Sequence, residues 1–275
     1  MQSFTYHTHN GEQNFDGHNT AEEMIAAAEN KGFTEIGVSN HLICHKNLKN
    51  EEAHSPMFFH DFEKCRSCCQ KHIELIRKAA EKHHIKVRIG FEVDFFPSAY
   101  WRNNFEKLLK TLEVDYLIGS THFIRSADES FLCNIYHMKY HPELSKNSEF
   151  KEYLRHYWRN IISAVESGYF TFMAHLDYIT IFNLCTEPEW DEYKWQVIEV
   201  LSKYKQPFEL NTSGYNRIDM QHPATWMLKE LNKRGVPVII SDDAHDTAML
   251  GQHFERAENL LSDIGYTQRF SPFIK

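Results

Sequence analysis

Phe4-Thr5-Tyr6-His7-Thr8-His9 sets two histidines one residue apart in a stretch of β-branched and aromatic residues. Such a stretch favours a strand. Strand side chains alternate faces, so His7 and His9 point the same way and offer two imidazoles to one cation. Asp243 and His245 repeat that spacing near the other end of the chain. Between the pairs, His41, Glu92, His122 and His175 each end or follow a short apolar run. One transition metal takes about four to six ligands. Eight candidates therefore imply two or three divalent cations sharing a bridging carboxylate. Mixed imidazole and carboxylate donors suit zinc, iron(II) or manganese(II) rather than calcium.

Those residues are far apart in the chain, so the fold must gather them. Strand patterns recur at 4–9, 35–39, 86–91, 116–120, 169–174, 207–210 and 236–240, and a helical pattern follows each. Thr20 with Glu23 predicts a capping box at the start of the first helix, which Gly32 ends. In the second, Phe62, Cys65, Cys69, Ile73, Ile76 and Ala80 recur at steps of three and four. Pro223 is expected in the first turn of the sixth. Strict strand–helix alternation predicts an α/β protein with a parallel sheet, closed into a TIM-like barrel. The rival, an open doubly wound sheet, lacks its glycine-rich first turn here. In a parallel barrel the strands' C-terminal ends open on one face, and every candidate ligand falls at such an end. Two inserts, at 43–60 and 124–147, follow the second and fourth strands, so they belong to the same face as a lid, substrate wall or shield.

The chain of 275 residues fits one domain, 1–275, of barrel size. A net charge of −8 argues against extended nucleic acid as a partner, but not against a small phosphorylated substrate facing bound cations. No signal sequence and no membrane-length apolar run is read, so a cytoplasmic location without membrane contact is expected. The six cysteines are then reduced core thiols, including the Cys65-x-x-Cys68 pair inside the second helical pattern. Oligomeric state is not legible.

In chain order, His7-x-His9, Asn40-His41, Gly90-Phe91-Glu92-Val93-Asp94, Ser120-Thr121-His122-Phe123, Ala174-His175 and Asp243-Ala244-His245 resemble the polymerase and histidinol phosphatase (PHP) family. Glu209-Leu210-Asn211-Thr212-Ser213-Gly214 is similar to its histidinol-phosphatase branch. The resemblance implies a distorted (β/α)7 barrel with a trinuclear centre. One metal would take His7, His9, Glu92 and Asp243; a second Glu92, His122 and His175; a third His41, His245 and Asp16 from the first loop. It also implies hydrolysis of a phosphomonoester, L-histidinol phosphate in histidine biosynthesis, by a metal-bridging hydroxide. Asp16 and His18 are candidate proton donors, and Arg217 the candidate phosphate ligand. Arg125 is a weaker candidate, and Arg155 and Arg159 are expected on a helix surface. Thr5, Asn40 and Asp242 stand where the family often has Asp, Asp and Ser. Two other readings stay open: a phosphoesterase acting on nucleotides or other small esters, and a metal-binding domain without turnover.

Overall fold

The structure is a computed structural model that describes residues 2–52, 55–141 and 143–273. Among the described residues, seven strands form the expected parallel ring: β1 (Phe4–Thr5), β2 (Glu35–Val38), β3 (Lys86–Asp94), β4 (Tyr116–Ser120), β5 (Phe172–Met173), β6 (Phe208–Asn211) and β7 (Val238–Ser241). Their spatial order is their chain order. The ring closes through a parallel bridge between Thr8 and Ala244, where His9 N–H donates to the Ala244 carbonyl at 2.8 Å. The fold is thus an α/β, TIM-like barrel.

A helix follows each strand, as parallel connections require. These are α1 (Ala21–Asn30), α2 (Phe62–Ala80), α3 (Ala99–Leu109), α4 (Phe150–Ser167), α5 (Asp191–Tyr204), α6 (Thr225–Lys233) and α7 (Phe254–Asp263). Thr20 and Glu23 form the capping box that starts α1. Cys65, Cys69, Ile73 and Ile76 bury the apolar stripe of α2. Gly168 ends α4 in the left-handed conformation at φ +69°. Pro223 lies outside α6, ahead of its cap at Ala224, so it is not a first-turn residue. Among the described residues no helix is long and apolar enough to cross a membrane.

The barrel interior has two layers. Tyr6, Tyr116, Ile118, Phe172, Ala174 and Ile239 form an apolar plug toward the strands' N-terminal ends. Above it the inward residues are His, Glu and Asp. Regular alternation from 4 to 9 would put Tyr6 opposite His7. The structure corrects this: Tyr6 packs in the plug, yet His7 reaches Glu92 and Asp243 above it. Two successive inward side chains cannot sit on a regular pleat. The β1 ladder therefore stops at Thr5 and resumes as the isolated Thr8–Ala244 bridge. Glu92 is likewise not the end of its strand, since β3 runs on to Asp94.

Both inserts rise over the C-terminal rim. The first pairs His41–Cys44 with β3 and with Phe58–Phe59. The second is an antiparallel hairpin, Phe123–Arg125 with Leu132–Asn134, followed by a 3-10 turn at Ile135–Tyr140. Insert residues 53, 54 and 142 lie outside the described residues.

Candidate metal centre

Glu92 is the hub of the upper layer. Its Oε2 lies 3.3 Å from His7 Nε2, 3.6 Å from His9 Nε2 and 2.9 Å from His41 Nδ1. Its Oε1 faces the other way, 3.1 Å from His175 Nε2 and 3.5 Å from His122 Nε2. The two oxygens of one carboxylate thus address two sets of imidazoles, the geometry a bridging ligand needs. Asp243 Oδ1 lies 3.2 Å from His9 Nε2 and 3.5 Å from His7 Nε2. Asp16 Oδ2 lies 3.4 Å from His41 Nε2 and 3.3 Å from His245 Nε2. The ligand atoms of His9, Asp16, His41 and His245 all fall within 4.8 Å of one another. Those of His7, His9 and Asp243, and of His7, Glu92 and His175, do the same.

Hydrogen bonding does not account for this arrangement. His7 Nε2, both ring nitrogens of His9, His41 Nδ1 and Glu92 Oε2 are buried and make no hydrogen bond of acceptable geometry. Leaving one buried polar atom unsatisfied costs about 1–3 kcal/mol, and four neighbouring residues here carry five such atoms. Divalent cations would take one nitrogen from each of these rings and the Glu92 oxygen, so the donor set fits the metals that the chemistry of these residues implies. The charges point the same way. Among the described ion pairs, Asp16, Glu92 and Asp243 face only imidazoles. Burial would raise the Glu92 pKa, but His41, His7 and His122 hold it well below the usual carboxylate range. Burial, with the His245 and His41 rings beside it, pushes His9 down to about 3.

A second ring of groups aims the first. Glu209 Oε2 is 2.9 Å from His7 Nδ1, and Glu209 Oε1 accepts from His175 N–H at 2.9 Å. Asp94 takes His122 through Nδ1 at 2.9 Å and through its backbone N–H at 2.7 Å. His245 Nδ1 sits 2.9 Å from the Asp243 carbonyl, which leaves Nε2 for Asp16. A partner on one ring nitrogen fixes which nitrogen faces a cation. Glu209 and Asp94 stand in motifs visible in the sequence, but their roles are not legible there. Strand parity is the signal that places both inward, beside Glu92 and Asp243.

The departures at Thr5, Asn40 and Asp242 also find partners. Thr5 Oγ1 donates to Asp242 Oδ1 at 2.6 Å, so hydroxyl and carboxylate have exchanged places and the contact is kept. Asn40 accepts from Asn10 N–H at 2.8 Å and donates to the Asn10 carbonyl at 2.9 Å, which braces the loop carrying Asp16. An Asp in its place has no donor for that carbonyl.

A cavity of about 470 Å³ opens above the cluster. Asp16, His41, Glu92, His122, Asp243 and His245 line its floor, and His18 its edge. Phe58, Tyr136 and His137 from the inserts form one wall, and Arg217 with Tyr178 another. Arg217 Nη1 donates to Tyr178 Oη at 2.6 Å and also contacts the Tyr136 hydroxyl. Arg125 is not among these residues: its Nε donates to Asn160, and Nη1 to backbone carbonyls. Arg155 and Arg159 pair with Glu152 on the exposed side of α4.

Residues 5–213 match the PHP domain model. The "probable histidinol-phosphatase" of Deinococcus radiodurans is 26% identical over 66% of this chain and 66% of its own length. The histidinol-phosphatase of Bacillus subtilis is 22% identical over 93% of this chain and 98% of its own. In fold, the chain resembles the histidinol phosphate phosphatase of Lactococcus lactis, solved with zinc, L-histidinol and phosphate. That likeness has a TM-score of 0.64 at 15% identity and covers 98% of this chain and 95% of the other.

Proposed function

The chain belongs to the PHP domain family, and from that premise we propose that it is a metal-dependent phosphatase hydrolysing L-histidinol phosphate to L-histidinol and phosphate. One observation carries the reading: ligand-type side chains from the ends of distant strands turn unsatisfied buried atoms toward one another beneath a cavity of substrate size. The relatives named for this activity support the substrate.

His7, His9, Asp16, His41, Glu92, His122, His175, Asp243 and His245 would hold two or three divalent ions, zinc, manganese or iron(II). Such ions lower the pKa of water and stabilise the spread charge of a phosphoryl group in transfer. Arg217 faces the cavity with a guanidinium that matches phosphate oxygens in pairs. Asp16 is engaged between His41 and His245, so the exposed His18 is the better proton donor to the leaving alkoxide. Phe58 and Tyr136 line the cavity in which an imidazole-bearing leaving group would sit.

Phosphate release from L-histidinol phosphate, measured with added zinc, manganese or iron(II), tests the substrate. Turnover of other monoesters but not of this one would keep the chemistry and remove the substrate. Glu92→Gln should abolish turnover while the far-ultraviolet circular dichroism stays unchanged. His18→Ala should cost about 10²-fold or more on histidinol phosphate. It should cost far less on p-nitrophenyl phosphate, whose leaving group needs no proton. Equal losses on both would exclude His18 as the donor.

A further inference from the structure

A second group of ligand-type side chains lies outside the barrel site, where the two inserts meet. Glu51 comes from the first insert, Cys133 and His141 from the second. One ligand atom from each falls within 4.8 Å of the others. Cys133 is fully buried, and Glu51 is 4% exposed. The carboxylate of Glu51 has an imidazole on each side: His137 Nδ1 is 2.5 Å from Oε2, and His141 Nε2 is 3.8 Å from Oε1. The other nitrogen of His141 sits 3.2 Å from Glu143 Oε1. A carboxylate behind an imidazole is the arrangement that orients a histidine toward a cation.

The chemistry here differs from that of the barrel site. Sulfur, nitrogen and oxygen donors together suit zinc and its neighbours, and thiolate excludes the hard cations. Burial, with Glu51 and Glu143 nearby, pushes the Cys133 thiol up to about 12, so without a cation it stays protonated beside a buried carboxylate. We propose that Glu51, Cys133 and His141 form a structural site for a zinc-type divalent cation, with His137 orienting Glu51, and that this site ties the two inserts together. On binding, Cys133 Sγ–H gives its proton to solvent and the freed sulfur lone pair bonds to the cation. Nothing is oxidised or reduced. The same inserts supply Phe58, Tyr136 and His137 to the cavity wall, so a cation here fixes the shape of that wall. The inference does not depend on which ester the barrel site hydrolyses.

Cobalt(II) tests it in the full chain, because none of the barrel-site residues is a cysteine: a thiolate-to-cobalt charge-transfer band arises outside the barrel site, and Cys133→Ser separates this site from the chain's other cysteines. The native chain loaded with cobalt should show that near-ultraviolet band. Glu92→Gln, which disturbs the barrel site, should keep it. Cys133→Ser should lose the band and one bound equivalent of cobalt. If Cys133→Ser fails to fold, His141→Gln, at a partly exposed position, should weaken the band-forming site at least ~10-fold. Absence of the band in the saturated native chain would overturn the proposal. So would a band that survives Cys133→Ser, or cobalt affinity unchanged in His141→Gln.

Discussion

Glu209 shows how much of the site depends on a residue that would touch neither metal nor substrate. It is fully buried and holds His7 through Nδ1, His175 through its backbone N–H, and Ser241 Oγ at 2.7 Å. Its carboxylate accepts every one of these bonds. An amide in its place turns a donor toward one of them. Glu209→Gln should therefore loosen His7 and lower metal affinity about 10–100-fold, the usual cost of losing an orienting partner. Metal titration followed by turnover at saturating metal checks this. Activity rescued by excess metal marks a positioning residue, whereas an unchanged affinity would remove Glu209 from the site. The candidate ligands are legible in sequence because their spacing matches strand geometry. For Glu209 strand parity gives the inward position but not the role, since one buried acid in a strand reads the same whether it orients a histidine or pairs with a distant base.

At the scale of elements, the site rests on how tightly the strands pack around Tyr116. Its hydroxyl donates to the Tyr6 carbonyl at 2.5 Å, and its ring fills the space over two glycines. A Cβ on Gly90 would lie 2.5 Å from the ring, and one on Gly37 would meet the hydroxyl oxygen. Gly37→Ala and Gly90→Ala should each lower stability by about 1–3 kcal/mol, the range for overpacking. Tyr116→Phe removes only the hydroxyl, so it should relieve part of the Gly37→Ala loss and none of the Gly90→Ala loss. Denaturant unfolding of the singles and doubles gives the coupling energies. Equal coupling in both pairs would mean that the ring itself moves. The helices were readable because capping residues and apolar periodicity are local. The break in β1 was not, because it arises from the closing contact with Ala244 and from Tyr6 joining the plug.

For the whole molecule, the barrel has an apolar half that folds by burial and a polar half that bound cations would stabilise. Chelation should therefore lower the melting temperature without unfolding the chain at room temperature. Cations held at 1,000 times their Kd add about 4 kcal/mol for each linked site, a shift on the order of 10 °C in a chain of this size. Differential scanning calorimetry with and without chelator checks the shift. Glu92→Gln should shrink the difference. A melting temperature indifferent to metal would contradict the reading that the clustered atoms bind cations in the folded state.

The sequence by itself determined the donor types, their places toward the C-terminal side of the strands and the alternation that closes a parallel barrel, because these follow from local periodicity and from the order of elements. It also carried the resemblance to the PHP family. Only the tertiary structure decided which imidazoles share each oxygen of Glu92, which buried acids orient them, that Thr5 and Asp242 exchange roles, and that Glu51 meets Cys133 and His141. Those are contacts between residues tens to hundreds of positions apart, and they exist only once the ring of strands has closed.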